Sequence, residues 1–169
     1  DSDTVLVITY SGFAKTLDEI RPELTGIAPN RYILTDRKDI PGYCFYGDVT
    51  AAASDQDPQG TQIQDQDVFN IIYSSGTTGL PKGIVHTHFI RCMYANSFAT
   101  AFRMTPESVT MHAGAIVFNG SFVDLMPTIL AGATYVLLKE FEPINYIDTI
   151  EKEKVTHIMV VPAQVIAIL

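Results

Sequence analysis

Short apolar runs alternate with amphipathic segments along most of the chain. Runs rich in aliphatic and β-branched residues predict strands at 4–9, 31–34, 68–73, 109–112, 134–138 and 156–161. Longer segments with apolar residues at helical spacing predict helices at 13–24, 88–103, 120–131 and 143–154. Strands and helices in alternation favour a mostly parallel sheet with right-handed crossovers, so the expected fold class is α/β.

A hairpin interrupts this alternation. The run Lys82–His86 is a further strand candidate, and it follows the strand at 68–73 after a glycine-rich turn, which predicts a hairpin-like pair. Thr87 is the expected N-cap of the next helix, because its hydroxyl can accept a hydrogen bond from a first-turn backbone amide. The last seven residues are apolar and predict one more helix.

Residues 54–67 differ from the sequence on both sides. They are rich in Asp and Gln and contain a Pro-Gln-Gly turn signal, which indicates a solvated connecting loop, with a functional acidic patch as the alternative. The predicted organisation is an α/β segment over 1–53, this loop over 54–67 and a second α/β segment over 68–169. Because buried elements need neighbours on both faces, the open alternation at both ends predicts part of a longer domain.

Composition and charge narrow the functional classes. Of the 169 residues, 47% are hydrophobic and 18% are charged, which is typical of a globular domain. The net charge of −8 and the lack of a basic stripe argue against a nucleic-acid partner. The widely separated Cys44 and Cys92 favour a reducing cytoplasm over a disulfide framework. The apolar stretch 113–138 could span a bilayer in length, but glycines and a proline interrupt it, so we expect no membrane span.

The strongest candidate for a functional site is the segment Tyr73–Gly83, YSSGTTGLPKG. It combines three glycines, four Ser/Thr hydroxyls and one lysine directly after a predicted buried strand. Glycines allow the backbone to approach an anion closely, and successive N–H groups in such a turn form an anion-binding nest. It is not a Walker A loop, because Pro81 precedes Lys82 and Gly83 follows it. The pattern predicts a loop that binds the phosphates of a nucleotide.

This segment resembles the phosphate-binding motif of the adenylate-forming enzymes, which include acyl- and aryl-CoA synthetases, luciferases and peptide-synthetase adenylation domains. Further segments are similar to that family: Phe118–Gly120, Leu130–Thr134 and Val155–Pro162. The resemblance covers 68–169 and is closest to the acid–CoA ligases. It implies a fragment of the large N-terminal domain of such an enzyme.

The implied reaction activates a fatty or aryl carboxylic acid with ATP as an acyl-adenylate and then transfers the acyl group to CoA. By this resemblance the nucleotide-binding residues are Ser74, Ser75, Gly76, Thr77, Thr78, Gly79, Lys82 and Asn119. Thr78 and Lys82 are the expected catalytic residues, and Lys82 would stabilise charge on the leaving group. Ser74 is the candidate neighbour of Mg²⁺. The implied partners are therefore ATP, Mg²⁺, CoA and the acid, and a homo-oligomer is left open.

Asn119 departs from the family pattern. It stands where many relatives carry a histidine after an aromatic residue, and asparagine cannot titrate near neutral pH. Its amide can donate a hydrogen bond to a carboxylate or adenylate, or it can cap the helix that follows. Both interpretations stay open at this stage. The family's downstream Mg²⁺-binding glutamate, ribose-binding aspartate and C-terminal lysine do not occur in these residues, so the chain alone should not complete the reaction.

The remaining histidine, cysteine and methionine candidates do not indicate a separate catalytic or metal site. His86 and His88 would share one face of a strand, but no third metal ligand accompanies them. Cys92 is interpreted as a core residue of its helix, and Met126 and Met159 as core residues that could line an acyl tunnel. Two alternatives to the acid–CoA ligase are retained: a peptide-synthetase adenylation domain that loads a carrier protein, and a non-catalytic nucleotide-binding module.

Overall fold

The computed structural model describes residues 2–75 and 79–169, and these form two compact units, 1–61 and 62–169. Both units combine strands with helices, and each holds a three-stranded parallel sheet. The α/β class with a mostly parallel sheet is thereby confirmed. Between the last helix of the first unit and the first strand of the second, residues 52–67 are exposed and form turns without helix or strand.

The first unit is built on a parallel sheet of order β1-β2-β3. Its elements are β1 (Val7–Thr9), α1 (Ala14–Ile20), β2 (Tyr32–Leu34), β3 (Cys44–Phe45) and α2 (Tyr46–Ala51). The central strand β2 is fully buried, as expected for a parallel strand with neighbours on both sides.

Two expectations for the first unit are wrong in extent. The strand predicted at 4–9 is limited to the three residues of β1. This strand lies at the edge of the sheet and pairs only with β2, and its Ile8 side chain is half exposed. The helix predicted at 13–24 is shorter, since Pro22 lacks a backbone N–H and a 3₁₀ turn, Arg21–Glu23, replaces its last part. Strand β3 and helix α2 have no counterpart in the prediction.

The second unit begins with an antiparallel hairpin and continues as alternating strands and helices. The elements are β4 (Val68–Ser74), β5 (Lys82–Thr87), α3 (His88–Ala101), β6 (Val109–Ala113), α4 (Asn119–Ala131), β7 (Thr134–Leu138), α5 (Pro143–Glu153), β8 (His157–Ile158) and α6 (Pro162–Ile168). The parallel sheet has the order β7-β6-β8, with β6 in the centre. The strand predicted at 156–161 is reduced to two paired residues.

The core of the second unit lies where α4 packs against α3 and β6. Met111 and Thr110 on β6 are fully buried, and the Thr110 hydroxyl lies 2.6 Å from that of Thr128 on α4. Pairing two hydroxyls satisfies polar atoms that would otherwise be costly to bury. The central strand and α4 are thus fixed to each other.

Local sequence signals set the ends of the helices. The Thr87 hydroxyl accepts from the Ile90 amide at 3.3 Å and caps α3, which confirms the predicted cap. Glu142 accepts from the Ile144 and Asn145 amides at the start of α5. Gly132 ends α4 in the left-handed conformation, with φ of 66°, which glycine adopts without strain. Within the described ranges, every helix is too short or too polar to cross a bilayer.

Candidate functional site

The β4–β5 hairpin holds the ends of the predicted phosphate loop. Its register runs from Val68 opposite Thr87 to Ser74 opposite Lys82, with one irregularity near Val68. Side chains directly opposite each other on antiparallel strands project from the same face and lie close together. The side chains of Ser74 and Lys82 therefore start from one face of the hairpin, at the end where the loop joins the two strands.

Gly83 accommodates an aromatic ring within this hairpin. A methyl group added at Gly83 would lie 3.2 Å from Cζ of Tyr73, the residue opposite it, and 3.1 Å from Cγ2 of Ile71. The ring of Tyr73 therefore occupies the space that a side chain at 83 would need. This contact supports the hairpin pair directly behind Ser74 and Lys82.

The loop itself is described at its two ends. Ser75 is exposed after β4, and Gly79 is exposed before β5 with φ of +89°, a conformation that favours glycine. The predicted contacts of Gly76, Thr77 and Thr78 fall outside the described residues. Lys82 is exposed, and no carboxylate of residues 2–75 or 79–169 lies within ion-pair distance of it. The ends of the loop thus present hydroxyls and an ammonium group to solvent, which suits an anionic ligand.

A buried arginine lies beside the hairpin. Arg91 on α3 is only 1% exposed; its Nε donates to Oδ1 of Asn70 on β4 at 3.0 Å, and its Nη2 donates to Oδ1 of Asn119 on α4 at 3.0 Å. Its guanidinium carbon lies 4.1 Å from the ring centroid of Phe122 and 5.1 Å from that of Tyr94. Arg91 thereby joins the strand that leads into the loop to the first turn of α4.

Asn119 is not the cap of α4, so that interpretation is wrong. Phe118 occupies the N-cap position, and the Asn119 oxygen accepts from Arg91 instead of from a first-turn amide. Asn119 is half buried at the end of the segment that follows β6, where open parallel sheets bind ligands. The structure brings Asn119 and the hairpin to one polar cluster through Arg91.

Sequence reasoning missed Asn70 and Arg91. Both carried a signal: Asn70 is the polar residue inside the apolar run at 68–73, and Arg91 is a charge among apolar residues in a predicted helix. Buried charges are rare unless they are hydrogen-bonded, so a charge at an apolar position marks a candidate site.

The two histidines and Cys92 depart from expectation. The side chain of His86 is buried beside the Tyr94 ring, where burial and the nearby Arg91 charge lower its pKa. His88 begins α3 and packs on Phe69, so the two histidines do not share a strand face. Across the described residues no cluster of three metal-binding side chains occurs. Cys92 is exposed, so its placement in the core was wrong.

A buried carboxyl lies further along α4. Asp124 is 5% exposed, and burial raises its pKa to about 6, although His157 and the Met159 amide oppose this shift. A cavity of about 330 Å³ lies beside it, lined also by Phe102, Val123 and His157. Asp124 is thus a buried titratable group of this unit that has no hydrogen bond to Arg91.

Met159 approaches the first turn of α4. A methyl group added at Gly120 would collide with the Met159 Cε atom, so the missing side chain at 120 leaves room for that methionine. Met126 and Met159 are both half buried. Their assignment to an acyl tunnel stays a prediction.

Comparison with known proteins identifies the family. The family model described as "AMP-binding enzyme" matches residues 1–169. YngI of Bacillus subtilis, a candidate acyl-CoA synthetase, is 30% identical over 183 residues, which cover 96% of this chain and 33% of YngI. The medium/long-chain-fatty-acid–CoA ligase FadD8 of Mycobacterium tuberculosis is 31% identical and covers 72% of this chain. The nonribosomal peptide synthetase easA of Emericella nidulans is 30% identical over 114 residues.

Solved structures share the fold. The ATP-bound MatB of Rhodopseudomonas palustris superposes with a TM-score of 0.75 at 21% identity over 98% of this chain. The chain spans 31% of that protein, 33% of YngI and 2% of easA. At this identity the structural likeness establishes the fold, and the family model establishes the membership. The chain belongs to the AMP-binding, adenylate-forming enzymes.

Proposed function

We propose that this chain forms the nucleotide-phosphate-binding part of an ATP-dependent, AMP-forming acid–CoA ligase. Such an enzyme activates a carboxylic acid as an acyl-adenylate and transfers the acyl group to CoA. The observation that carries the proposal is the β4–β5 hairpin, in which Ser74 and Lys82 lie opposite each other at the ends of a glycine- and hydroxyl-rich loop.

The donor chemistry of the loop fits a polyphosphate. Hydroxyls and backbone amides supply hydrogen-bond donors, and Lys82 supplies a positive charge. The residues that would surround the β- and γ-phosphates are Ser74, Ser75, Gly76, Thr77, Thr78, Gly79 and Lys82. Gly79, directly before the Leu80–Pro81 segment that leads into β5, has a positive φ that glycine adopts without strain.

Lys82 and Thr78 are the proposed catalytic residues. When the acid attacks the α-phosphate, negative charge develops on the departing pyrophosphate. An ammonium group at the end of the strand, next to the departing pyrophosphate, stabilises that charge. The Thr78 hydroxyl would donate to the same phosphate oxygens.

Ser74 is the proposed Mg²⁺ neighbour. Mg²⁺ keeps several waters and phosphate oxygens when it binds with a nucleotide, so one hydroxyl is a sufficient contribution from this strand. When bound, the ion would offset phosphate charge. A protein of the same fold, the O-succinylbenzoate-CoA synthetase of Bacillus subtilis, has been solved in complex with ATP and a magnesium ion, which agrees with this proposal.

A peptide-synthetase adenylation domain is the second candidate. Similarity to easA and to gramicidin S synthase 2, which is 37% identical over 111 residues, favours it. Such a domain would activate an amino acid and load a carrier-protein thiol. The YngI and FadD8 matches cover more of this chain, which favours the ligase.

Pyrophosphate exchange tests the proposal. The whole protein that carries this chain is incubated with ATP, labelled pyrophosphate and separate fatty, aryl and amino acids. The ligase account predicts exchange with fatty or aryl acids and formation of a CoA thioester. Exchange with amino acids, combined with transfer to a phosphopantetheinyl carrier but not to CoA, would favour the second candidate. No exchange with any acid would overturn both.

A further inference from the structure

Alternate side chains of the β4–β5 hairpin share one face, which we call the inner face. Its cross-strand pairs, from the base of the hairpin to the loop, are Asn70 with His86, Ile72 with Ile84 and Ser74 with Lys82. Ile72 and His86 are buried, whereas the pair at the loop end is exposed. The side chains that flank the phosphate loop therefore start from the same face that packs into the second unit.

A shift in the strand register determines which residues belong to the inner face. Between the first two cross-strand pairs, β4 has one residue more than β5, Phe69, which has no partner on β5. Because side chains alternate between the two faces, one additional residue moves every later side chain of the strand to the opposite face. The shift therefore brings the side chains of Asn70 and Ser74 to the inner face.

Arg91 binds the base of the inner face. Its guanidinium is only 1% exposed, and its Nε donates to Oδ1 of Asn70 at 3.0 Å. On its other side, Nη2 donates to Asn119, and the ring of Phe122 lies 4.1 Å from the guanidinium carbon. A planar guanidinium that bonds acceptors on two elements fixes their relative direction, which a lysine ammonium on a flexible stem does not. Arg91 thus ties β4 to α4.

The hairpin depends on such side-chain contacts for its orientation. Within residues 2–75 and 79–169, β4 and β5 pair with each other and with no further strand. Backbone bonds to a larger sheet therefore do not orient the two strands. Among the described hydrogen bonds, that of Asn70 to Arg91 is the one that joins a side chain of the inner face to a helix.

We propose that Arg91 is a positioning residue of the phosphate loop: by holding Asn70 it fixes the direction of the inner face, and with it the positions from which Ser74 and Lys82 meet the nucleotide. The inference rests on the proposed function of the loop. Asn70 and Ser74 are four residues apart, about 14 Å along the strand, so a small tilt at the base moves the loop end by a larger distance. A misplacement of about 1 Å can slow a reaction about 100-fold.

Variants of Asn70 in the whole protein test the first step. The kcat of acid-dependent pyrophosphate exchange is measured for each, well below its unfolding temperature. Asn70→Ala leaves Arg91 without its acceptor on β4 and should lower kcat about tenfold. Asn70→Asp keeps an acceptor oxygen and should recover most of the loss. Asn96→Ala, which removes an exposed asparagine side chain from α3, is the matched control and should retain the wild-type rate. An Asn70→Asp variant as slow as Asn70→Ala would overturn the inference.

A double-mutant cycle with Lys82 separates positioning from a general effect on stability. Asn70→Ala should lower kcat about tenfold when Lys82 is present and less than twofold in the Lys82→Ala background, because the group that is positioned has then been removed. The two residues do not touch each other, so a loss of stability alone would act equally on both backgrounds. Equal losses would overturn the positioning role.

The wild-type protein separates this inference from the proposed function. Exchange by the wild type together with equal losses in the cycle overturns the positioning role alone. If the wild type exchanges with no acid, the proposed function fails, and the Kd for ATP with Mg²⁺, measured by titration calorimetry, decides the inference. Asn70→Ala should then raise that Kd about tenfold and Asn70→Asp should restore it. An unchanged Kd, or no binding of ATP by the wild type, would overturn the inference as well.

Discussion

Ser74 and Lys82 form the last antiparallel pair of the β4–β5 hairpin, so a hydroxyl and an ammonium group flank one loop from opposite strands. The backbone pairing fixes the two residues opposite each other, so both side chains start from the end of the hairpin that carries the loop. A ligand that enters the loop meets both of them without a rearrangement of the strands.

Lys82→Ala should slow acid-dependent pyrophosphate exchange about 100-fold, because the charge that faces the leaving group is lost. Lys139, an exposed lysine outside the hairpin, provides the matched control, and Lys139→Ala should retain the wild-type rate. Equal rates for Lys82→Ala and the wild type would remove Lys82 from the mechanism.

Gly79→Ala should reduce exchange, because alanine at a φ of +89° costs about 1–2 kcal/mol and the loop would shift to relieve it. Gly60→Ala is the control, since Gly60 also has a positive φ, of 76°, and open space around it, but lies in the connection between the two units. Both variants carry the same kind of conformational cost. Activity should fall in Gly79→Ala alone, and a parallel fall in both would argue against a role for the loop.

Thr87→Ala should lower the free energy of unfolding by about 1 kcal/mol, because it leaves the Ile90 amide at the start of α3 without its cap. Thr87→Ser retains the hydroxyl and should recover most of the loss. Urea unfolding of the three proteins measures both effects. A serine variant as unstable as the alanine variant would show that the threonine methyl, not the cap, is responsible.

Asp124 should make stability depend on pH. Its folded-state pKa of about 6 lies above the ordinary aspartate value of 3.8, so the folded state favours the protonated carboxyl. This contribution is fully present below pH 4 and is lost as the pH rises through 6. The shift corresponds to at most about 3 kcal/mol.

Asp124→Asn removes that dependence. The difference in unfolding free energy between the variant and the wild type should therefore change in favour of the variant between pH 4 and pH 7. Asp148→Asn, at an exposed position of α5, should leave the pH profile of the wild type unchanged. A constant difference between Asp124→Asn and the wild type across this range would contradict the raised pKa.

The second unit was predictable because its elements are long and strongly patterned. The helices α3, α4 and α5 and the strands β4 to β7 lie within a residue or two of their predicted bounds. The short β3 and α2 were missed because two paired residues and a six-residue helix containing Gly47 carry little periodicity. Strand β3 forms by pairing with β2, and α2 packs against β3, so both depend on tertiary contacts.

The candidate site was likewise predictable only in part. The loop between Ser74 and Lys82 was found from local sequence, because its chemistry is concentrated in a few adjacent residues. The bridge from Asn70 through Arg91 to Asn119 joins residues 21 and 28 positions apart, which no local pattern reports. Asn119 was wrongly interpreted as a helix cap because local sequence does not show that its side-chain oxygen accepts a hydrogen bond from Arg91, 28 residues away.

A crystal structure of the whole protein with ATP and Mg²⁺ tests the central claim most directly. The account predicts the β- and γ-phosphates within hydrogen-bond distance of the loop between Ser74 and Lys82, with the Lys82 ammonium on a phosphate oxygen. A triphosphate bound elsewhere, with this loop empty, would contradict it.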